Sequence, residues 1–377
     1  MSETLLILTT RNLQSAPRVL REIQALAGNY EIYAVGYAPP KPETQVKFID
    51  VRTIRRSSVE RVMDIIFRSI RLNAPIFKNL SQRFTDIKEL VAKLKPKLII
   101  THEPHFLPYL TKLKSDYGFK IVYNAHEYHP LEFSDRWYWN TFWKPYYENI
   151  YRNCLPDVDL FINVCESITE KCEKEFNKQS IVIPNASVYY EIDPSKNEGV
   201  VKIIHHGGCI PSRKVEVMIE VAKLLGQDFH LDLMLTLNEG EYFDEVKKMT
   251  EKADNVKIIE PVQFDQIIPF TNQYDIGLFL LPPTNYNYSV ALPNKLFEFI
   301  QARLCVAIGP SPEMSNIVKK YNLGVISEDF TAKSMAAAIG LLSREKIQQF
   351  KERSHQAAPK LSAENFNKLF VDSINGL

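Results

Sequence analysis

Short apolar runs alternate with helix-like segments along this chain. In its first half, the runs have the length expected of buried parallel strands, and apolar residues recur with helical spacing between several of them. One such segment places Val19, Ile23 and Leu26 on a single helix face. The predicted strands of this half are 5–8, 31–35, 97–101, 120–123, 160–164 and 181–184, and the predicted helices are 18–26, 84–94 and 167–176.

The same alternation resumes in the second half. Its predicted strands are 201–205, 231–235, 256–259, 276–280 and 305–308, and its predicted helices are 213–225, 242–253, 264–273 and 293–301. Two such series predict an α/β fold of two doubly wound, Rossmann-like domains that face a central cleft. Because residues 187–199 are mostly polar, we place the linker there and expect domains at 1–188 and 189–361, with a final helix at 362–377 that packs back on the first domain.

Composition excludes several classes of protein. The 377 residues are too many for one ordinary core, and 46 basic against 45 acidic residues disfavour a nucleic-acid-binding role. Five cysteines without a Cys-x-x-Cys pair argue against a zinc site and a secreted disulfide framework. No apolar run approaches the ~20 residues of a membrane span. We therefore expect a cytosolic protein, with any membrane contact peripheral and at the inner face of the cell membrane.

A glycine-rich turn follows the first predicted strand of the second domain. Gly207 and Gly208 let a diphosphate approach the backbone, and Arg213 can grip phosphate oxygens with its fork of donors. The spacing matches neither the dinucleotide-binding fingerprint nor the P-loop. An ordinary glycine turn with solvated cations is the alternative, but the place at the carboxyl end of a strand favours diphosphate binding.

A second candidate donor site is the helix start at Pro293. Asn294, Lys295 and Leu296 lie in its first turn, where unpaired N–H groups and partial positive charge favour phosphate. Glu298 lies one turn further in, where a carboxylate can accept hydrogen bonds from ribose hydroxyls. The alternative is an ordinary capped helix after a loop.

Histidines and carboxylates end two predicted strands of the first domain. His126 and Glu127 follow one strand, and His102, Glu103 and His105 follow another. At the carboxyl edge of a parallel sheet these side chains are well placed for function, although a single histidine often only satisfies a loop hydrogen bond.

The two His/Glu pairs do not predict a metal site. A His-x-x-x-His pair on a helix is absent, and Arg213 and Lys295 can neutralise a bound diphosphate instead. We therefore expect neither a resident metal nor a cofactor.

Two further stretches predict surface contacts. The segment from Arg55 to Arg83 interleaves seven basic residues with apolar ones, as in a basic amphipathic element that meets anionic lipid. A solvated helix that covers the first sheet explains it equally well. Trp137, Trp139 and Trp143 predict an acceptor-binding wall, an interfacial belt or packing beneath a loop.

In their order along the chain, these motifs resemble those of the retaining glycosyltransferases of the GT-B fold, in the family-four group. The resemblance covers nearly the whole length. The phrases that carry it are Ser15-Ala-Pro-Arg18, Val122-Tyr-Asn-Ala-His-Glu127, Phe161-Ile-Asn-Val-Cys-Glu-Ser167, Val182-Ile-Pro-Asn185, Gly207-Gly208 to Arg213, Tyr274-Asp-Ile-Gly277 and Leu292-Pro-Asn-Lys-Leu-Phe-Glu298.

The resemblance implies roles for individual residues. Glu298 matches the glutamate that holds the donor ribose, and Arg213 matches the basic residue on the donor diphosphate. His126 matches the histidine near the transferred sugar, and the strand ends around Leu235 and Val262 would flank the base. Catalysis would then consist of positioning and of stabilising the departing diphosphate, since a donor phosphate oxygen is thought to take the acceptor's proton.

The chain departs from the family pattern at two positions. Val290 stands where the family often has a second glutamate, which implies different sugar contacts. Gly208 stands where a basic residue often follows the first glycine, so we assign the second cation to Lys295. The expected catalytic residues are His126, Arg213 and Lys295, the donor contacts are Gly207, Gly208, Arg213, Leu235, Val262, Asn294, Lys295, Leu296 and Glu298, and the acceptor-side residues are Ser15, Arg18, Glu103 and Glu127.

We therefore expect an enzyme that moves a hexose-like sugar from a nucleotide diphosphate sugar to a hydroxyl of a glycan or lipid-linked glycan, with retention of anomeric configuration. Two alternatives remain open. A nucleotide-sugar epimerase of the GT-B fold would consume the donor without an acceptor. A non-catalytic sugar-nucleotide-binding subunit would bind the donor without turnover.

Overall fold

The chain folds as two compact units. The computed structural model describes residues 3–42, 44, 46–53, 82–196, 198–236 and 240–377. The first unit comprises Met1–Pro184 with Asn367–Leu377, and the second comprises Asn185–Phe366. The sequence pattern places the corresponding boundaries after residues 188 and 361. Each unit is built on a parallel sheet, which confirms the predicted α/β class.

Seven described strands form the sheet of the first unit, in the order β3-β2-β1-β4-β5-β6-β7. Leu5 to Leu8 are fully buried, so this strand carries a continuous apolar run instead of an alternating one. The strands are β1 Glu3–Leu8, β2 Tyr30–Gly36, β3 Lys47–Asp50, β4 Leu98–Thr101, β5 Lys120–Asn124, β6 Leu160–Asn163 and β7 Ile181–Val182; the helices are α1 Pro17–Leu26, α2 Gln82–Leu94, α3 Leu107–Tyr117, α4 Lys144–Cys154 and α5 Glu166–Phe176.

The second unit repeats this design with six described strands in the order β10-β9-β8-β11-β12-β13. The strands are β8 Val201–Gly208, β9 Phe229–Thr236, β10 Val256–Ile259, β11 Ile276–Phe279, β12 Cys305–Ile308 and β13 Gly324–Ile326. The helices are α6 Val215–Leu225, α7 Glu241–Thr250, α8 Ile267–Thr271, α9 Tyr286–Ser289, α10 Asn294–Gln301, α11 Pro312–Tyr321, α12 Ala332–Gly340, α13 Arg344–Ala357 and α14 Ala363–Asn375, the last of which continues into the first unit.

Both sheets reverse their strand order at the first strand of the unit. β1 lies between β2 and β4, and β8 lies between β9 and β11. The carboxyl ends of the strands on either side of such a reversal leave a crevice where open α/β sheets bind ligands. The fold therefore predicts ligand-binding sites at the carboxyl ends of β1 and β4 in one unit, and of β8 and β11 in the other.

A close approach between helix and sheet fixes α10 in the second unit. A Cβ atom at Gly277 on β11 would lie only 2.3 Å from Cγ of Phe299, a fully buried residue on α10. The ring of Phe299 in turn meets the ring of His206 edge-on, with centroids 5.3 Å apart. Gly277 therefore lets α10 pack against the end of β8.

Replacing this glycine should destabilise the second unit. We expect Gly277→Ala to lower the free energy of unfolding by about 1–3 kcal/mol, because Phe299 must shift in a packed core. Gly340→Ala is the matched control: its added Cβ would meet only Leu225 at 3.7 Å, an ordinary contact. Urea unfolding followed by circular dichroism measures both changes. Equal midpoints for the two variants would contradict the packing account.

Candidate functional site

Two cationic side chains meet beside Gly207 at the end of β8. This residue has a φ of +136°, and a Cβ atom there would lie 2.6 Å from Nζ of Lys295 and 3.5 Å from Nη1 of Arg213. Arg213 also donates from Nη1 to the carbonyl oxygen of Gly208 at 3.4 Å. The structure thus brings together the glycine turn and the helix start, which the sequence suggested separately, at the reversal point of the sheet.

The convergence of these two cations disfavours the charged form of Lys295. Burial, and then the charge of Arg213, lower the pKa of Lys295 to about 8, although Glu298 opposes the shift. Lys295 also lies over the ring of Phe279, with Nζ 5.2 Å from the centroid. An anion placed beside Gly207 would relieve the repulsion and restore the charge of the lysine. Two adjacent cations beside an open glycine backbone are chemically able to bind an anion.

Local backbone geometry places Arg213. The segment Pro211–Arg213 forms a single 3₁₀ turn, and Lys214 after it has a φ of 53°. The helix α6 therefore begins at Val215, two residues later than the sequence pattern predicts. This short turn lets the guanidinium fold back toward the end of β8.

Glu298 lies inside α10 and is only 5% exposed. Its Oε2 atom lies 3.4 Å from Nε2 of His206, whose pKa burial and the charge of Lys295 hold well below the usual range. The histidine is therefore neutral at physiological pH, and it lies beside the carboxylate without adding charge. His206 was not among the predicted site residues; its place at the end of β8, next to Gly207, was the available signal.

The remaining predicted donor residues differ in exposure. Asn294 is half-buried at the first position of α10, whereas Leu296 is 1% exposed and belongs to the core. Leu235 on β9 is likewise interior, in the apolar cluster on one face of the sheet, while half-buried Val262 packs against the cluster on the other face. The side chain of Leu235 therefore supports the strand end, and its contact with a base stays a prediction.

In the first unit, His126 joins a buried polar chain. Its Nε2 lies 3.1 Å from Nδ1 of His102, and Nε2 of His102 lies 3.0 Å from Oε2 of Glu22. The other oxygen of Glu22 accepts a hydrogen bond of 2.6 Å from Nδ2 of Asn124. Burial, and then the charge of Arg18, hold the pKa of His126 well below the usual range, so its ring is neutral. Glu22, whose carboxylate lies at the buried end of this row, was not among the predicted site residues.

The predicted acceptor-side residues are spread over different environments. Arg18 is only 6% exposed, and burial lowers its pKa to about 10. Its guanidinium donates to Asn124 and, at 3.4 Å, to the carbonyl oxygen of Ile183. Glu103 accepts hydrogen bonds from the Thr9 hydroxyl at 2.9 Å and from the Thr10 amide at 3.1 Å, at the reversal point of this sheet.

Two carboxyl groups lie near His126 in the sequence, and only one of them was predicted. Glu127 is exposed, whereas Glu132 is half-buried. Burial, and then the charge of Glu127, raise the pKa of Glu132 to about 7. Glu132 therefore changes its charge near neutral pH. The side chain of Ser15, the remaining acceptor-side prediction, lies outside the described ones.

The aromatic stretch packs mostly inward. The ring of Trp139 stacks on those of Trp143 and Tyr147 at 5.4 and 5.7 Å, and its Nε1 donates to the carbonyl oxygen of Pro130. Trp137, in contrast, is 74% exposed. Most of the predicted lipid-facing segment, residues 54–81, lies outside the described residues.

The described part of the chain holds neither a metal-binding cluster nor a membrane-spanning helix. No group of three or more His, Cys, Asp or Glu side chains there is arranged to hold a metal ion. Among the helices of that part, none combines the length and the apolar character that crossing a membrane requires.

Residues 18–186 match the family described as Glycosyltransferase Family 4. Over these residues the chain is similar to the glycosyltransferases of family four. The match begins on α1 and ends just beyond β7, so it spans most of the first unit. None of the curated proteins compared with the chain matches it.

Solved glycosyltransferase structures share the fold over the whole chain. Sucrose-phosphate synthase from Thermosynechococcus elongatus superposes with a TM-score of 0.75 at 12% identity, covering 99% of this chain and 98% of its own. A mutant of S. aureus TarM, in complex with fondaparinux, alpha-GlcNAc-glycerol and UDP, gives 0.70 at 12% identity over 100% of both chains. Anabaena HepE in complex with UDP and glucose gives 0.70 at 10% identity over 100% of both chains. Identities this low show the fold alone, and they confirm the predicted GT-B architecture.

The lowered pKa of Lys295 should be measurable by its reactivity. We expect acylation of this amine to rise with pH with a midpoint of about 8, because the reactive neutral form is already populated there. Ordinary lysines titrate near 10.4. Pulsed acetic anhydride labelling from pH 7 to 11, with peptide mass spectrometry, gives the midpoint.

The variant Arg213→Gln tests the cause of this shift. Removing the neighbouring cation should move the midpoint of Lys295 upward, and added inorganic pyrophosphate should do the same in the unmodified protein, because a bound anion favours the ammonium form. A midpoint near 10.5 in both proteins would show that the two cations do not share one site.

Proposed function

We propose that this protein is a glycosyltransferase. It moves a sugar from a nucleotide diphosphate sugar to a hydroxyl of a glycan or lipid-linked glycan acceptor, with retention of anomeric configuration. The observation that carries the proposal is the meeting of Lys295 and Arg213 beside Gly207. Two cations and an open glycine backbone fit a diphosphate, the leaving group of such donors. His126, Lys295 and Arg213 are the residues that we assign to catalysis.

Stabilising the leaving group is the main catalytic task of the second unit. Negative charge develops on the diphosphate as the bond to the sugar breaks, and fixed cations lower the barrier where that charge appears. Lys295 and Arg213 are already held beside Gly207 before any ligand binds, so little reorganisation is needed. These two side chains neutralise the diphosphate themselves, and we therefore assign no metal or cofactor to the reaction.

The nucleoside is the proposed ligand of Glu298. A buried carboxylate one turn inside α10, next to neutral His206, can accept hydrogen bonds from both ribose hydroxyls. The proposed remaining donor contacts are Gly208, Asn294, Leu296, Leu235 and Val262. UDP is bound in the TarM and HepE structures, and this makes a uridine nucleotide the first donor to test.

We assign the sugar and the acceptor to side chains of the first unit. Half-exposed His126 and exposed Glu127 are the groups there that can contact a sugar hydroxyl directly. We assign Arg18 and Glu103 to supporting positions behind them, since Arg18 already donates to the carbonyl oxygen of Ile183 and Glu103 already accepts from the Thr9 hydroxyl. Ser15 stays a proposed acceptor contact.

Product analysis separates the candidate functions. The protein is incubated with UDP-glucose or UDP-N-acetylglucosamine, with and without a panel of glycan and lipid-linked acceptors. We expect UDP and an α-glycoside only when an acceptor is present. A new sugar epimer formed from donor alone would instead show an epimerase, and saturable donor binding without any product would show a binding subunit.

A matched pair of variants ties the activity to the site. We expect Lys295→Ala to lower kcat/KM about tenfold or more, since a charge-assisted hydrogen bond contributes roughly 1.5–3 kcal/mol. Lys202→Ala is the control, because this exposed lysine lies at the opposite end of β8. Equal activity of the two variants would overturn the assignment of Lys295.

A further inference from the structure

We infer that His205 is a positioning residue for Lys295: when a diphosphate binds beside Gly207, Nε2 of His205 accepts a hydrogen bond from the ammonium group of Lys295. The other N–H groups of the lysine are then directed at the phosphates. The identity of the ligand in this inference rests on the proposed function. His205 acts through Lys295 without touching the substrate, and it was not among the predicted site residues.

His205 lies where two central strands of the second sheet separate. The strand β8 pairs with β11 only at Ile203 and Ile204, whereas it pairs with β9 as far as Gly208. The imidazole of His205 bridges the opening, because its Nδ1 lies 3.0 Å from the carbonyl oxygen of Leu278, on β11. The ring is fully buried. The histidine therefore belongs to the reversal point of the sheet, where open α/β sheets bind ligands.

The contact with Leu278 decides which nitrogen of His205 carries the proton. A carbonyl oxygen only accepts hydrogen bonds, so Nδ1 donates. Burial, and then the charge of Lys295, lower the pKa of His205 to about 3, so the ring is neutral near physiological pH and holds a single proton. Its Nε2 is therefore a bare acceptor.

This acceptor has no donor in the free protein. Nε2 of His205 is buried and makes no hydrogen bond within the described part of the chain. Leaving a buried polar atom unpaired costs free energy, and native proteins do so at few positions. A donor that moves into place when the ligand binds would remove this cost in the bound state.

Lys295 is a donor that shares the surroundings of His205. The imidazole stacks on the ring of Phe279, with an interplanar angle of 4° and centroids 5.9 Å apart. Nζ of Lys295 lies over the same phenyl ring, 5.2 Å from its centroid. The charge of Lys295 is also the largest charge effect on the pKa of His205. We expect rotation about the bonds of the lysine side chain to bring Nζ to Nε2.

The next histidine along β8 has a different environment. Nε2 of His206 lies 3.4 Å from Oε2 of Glu298, and its ring meets that of Phe299 edge-on. His206 is thus placed beside the carboxylate, whereas His205 and Lys295 contact one aromatic ring. For this reason we assign the acceptor role to His205.

The proposed bond completes the hydrogen bonding of a buried ammonium group. Such a group has three donors and no acceptor. A diphosphate beside Gly207 can accept two of these hydrogen bonds, and Nε2 of His205 is suited to the third. Burial and Arg213 lower the pKa of Lys295 in the free protein. An acceptor for the ammonium form favours that form when the phosphates are bound.

Nuclear magnetic resonance of the full chain with ¹⁵N-labelled histidine tests the inference directly, because protonated, bare and hydrogen-bonded ring nitrogens differ in chemical shift. The signals of His205 are assigned by their loss in His205→Gln. We expect a protonated Nδ1 and a bare Nε2 in the free protein, and an upfield shift of Nε2 when inorganic pyrophosphate saturates the site. The shift should be absent in Lys295→Ala at saturating pyrophosphate. An Nε2 signal that bound pyrophosphate leaves unchanged, or a shift that persists in Lys295→Ala, would overturn the inference.

Two substitutions separate the acceptor from the rest of the ring. The amide oxygen of His205→Gln can take the place of Nε2, whereas the shorter side chain of His205→Asn can keep only the hydrogen bond to Leu278. We expect His205→Asn to bind pyrophosphate about tenfold more weakly than His205→Gln, because hydrogen bonds to charged groups are the stronger ones. Pyrophosphate should also raise the labelling midpoint of Lys295 less in His205→Asn. Equal affinities and equal midpoints in the two variants would contradict the inference.

His230→Asn is the matched control. This half-buried histidine contacts Asp232 near the amino end of β9, at the opposite edge of the sheet, so its replacement should change neither the affinity nor the midpoint. The spectra of the unmodified protein keep the test decisive if a variant at His205 does not fold. A protein that binds no pyrophosphate would overturn the proposed function and this inference with it, whereas binding that leaves His205 unaffected would overturn this inference alone.

Discussion

The account depends on one electrostatic constraint: two cationic side chains occupy the space beside a single glycine. Gly207 has no side chain, and Nζ of Lys295 lies only 2.6 Å from the position that a Cβ atom would take. Arg213 reaches the same point, and its charge helps to lower the pKa of Lys295 to about 8. The fold holds this repulsion in place because β8 and α10 are fixed by packing. An anion at this point turns the repulsion into binding energy.

The packing that holds the cations also holds the carboxylate. Gly277 admits the ring of Phe299, which supports His206 edge-on, and His206 lies against Glu298. The candidate phosphate-binding residues and the candidate ribose-binding residue therefore share one support. In the first unit, Glu22, His102 and His126 likewise lie in a row of close polar contacts, at 3.0 and 3.1 Å.

The sequence predicted the central strands well, but it missed two of the four described edge strands, β3 and β13. Leu5 to Leu8 form an uninterrupted apolar run because β1 is buried on both faces, and such runs are visible in a sequence. β3, Lys47–Asp50, is a half-exposed edge strand with charged ends, and β13 has only three residues. The helix α13 was not predicted, because the fully buried polar residues Lys351 and Ser354 interrupt its apolar face.

The candidate site shows the same limit at the level of single residues. Lys295 and Gly207 were each singled out by local pattern, but only the fold brings them together. Arg18 and Glu22 are one helical turn apart and both buried, which a helical pattern cannot show because charged residues are ordinarily placed outside. Their partners, His102 and Asn124, come from strands far along the chain. Hydrogen bonds and ion pairs between residues far apart in the chain were thus the feature of the site that could not be predicted from the sequence.

The most direct test of the central claim is a crystal structure of the protein with UDP bound. The account predicts the two phosphates at the backbone of Gly207 and Gly208, both Lys295 and Arg213 within hydrogen-bond distance of phosphate oxygens, and Glu298 on the ribose. A well-ordered diphosphate that contacts neither cation would contradict it.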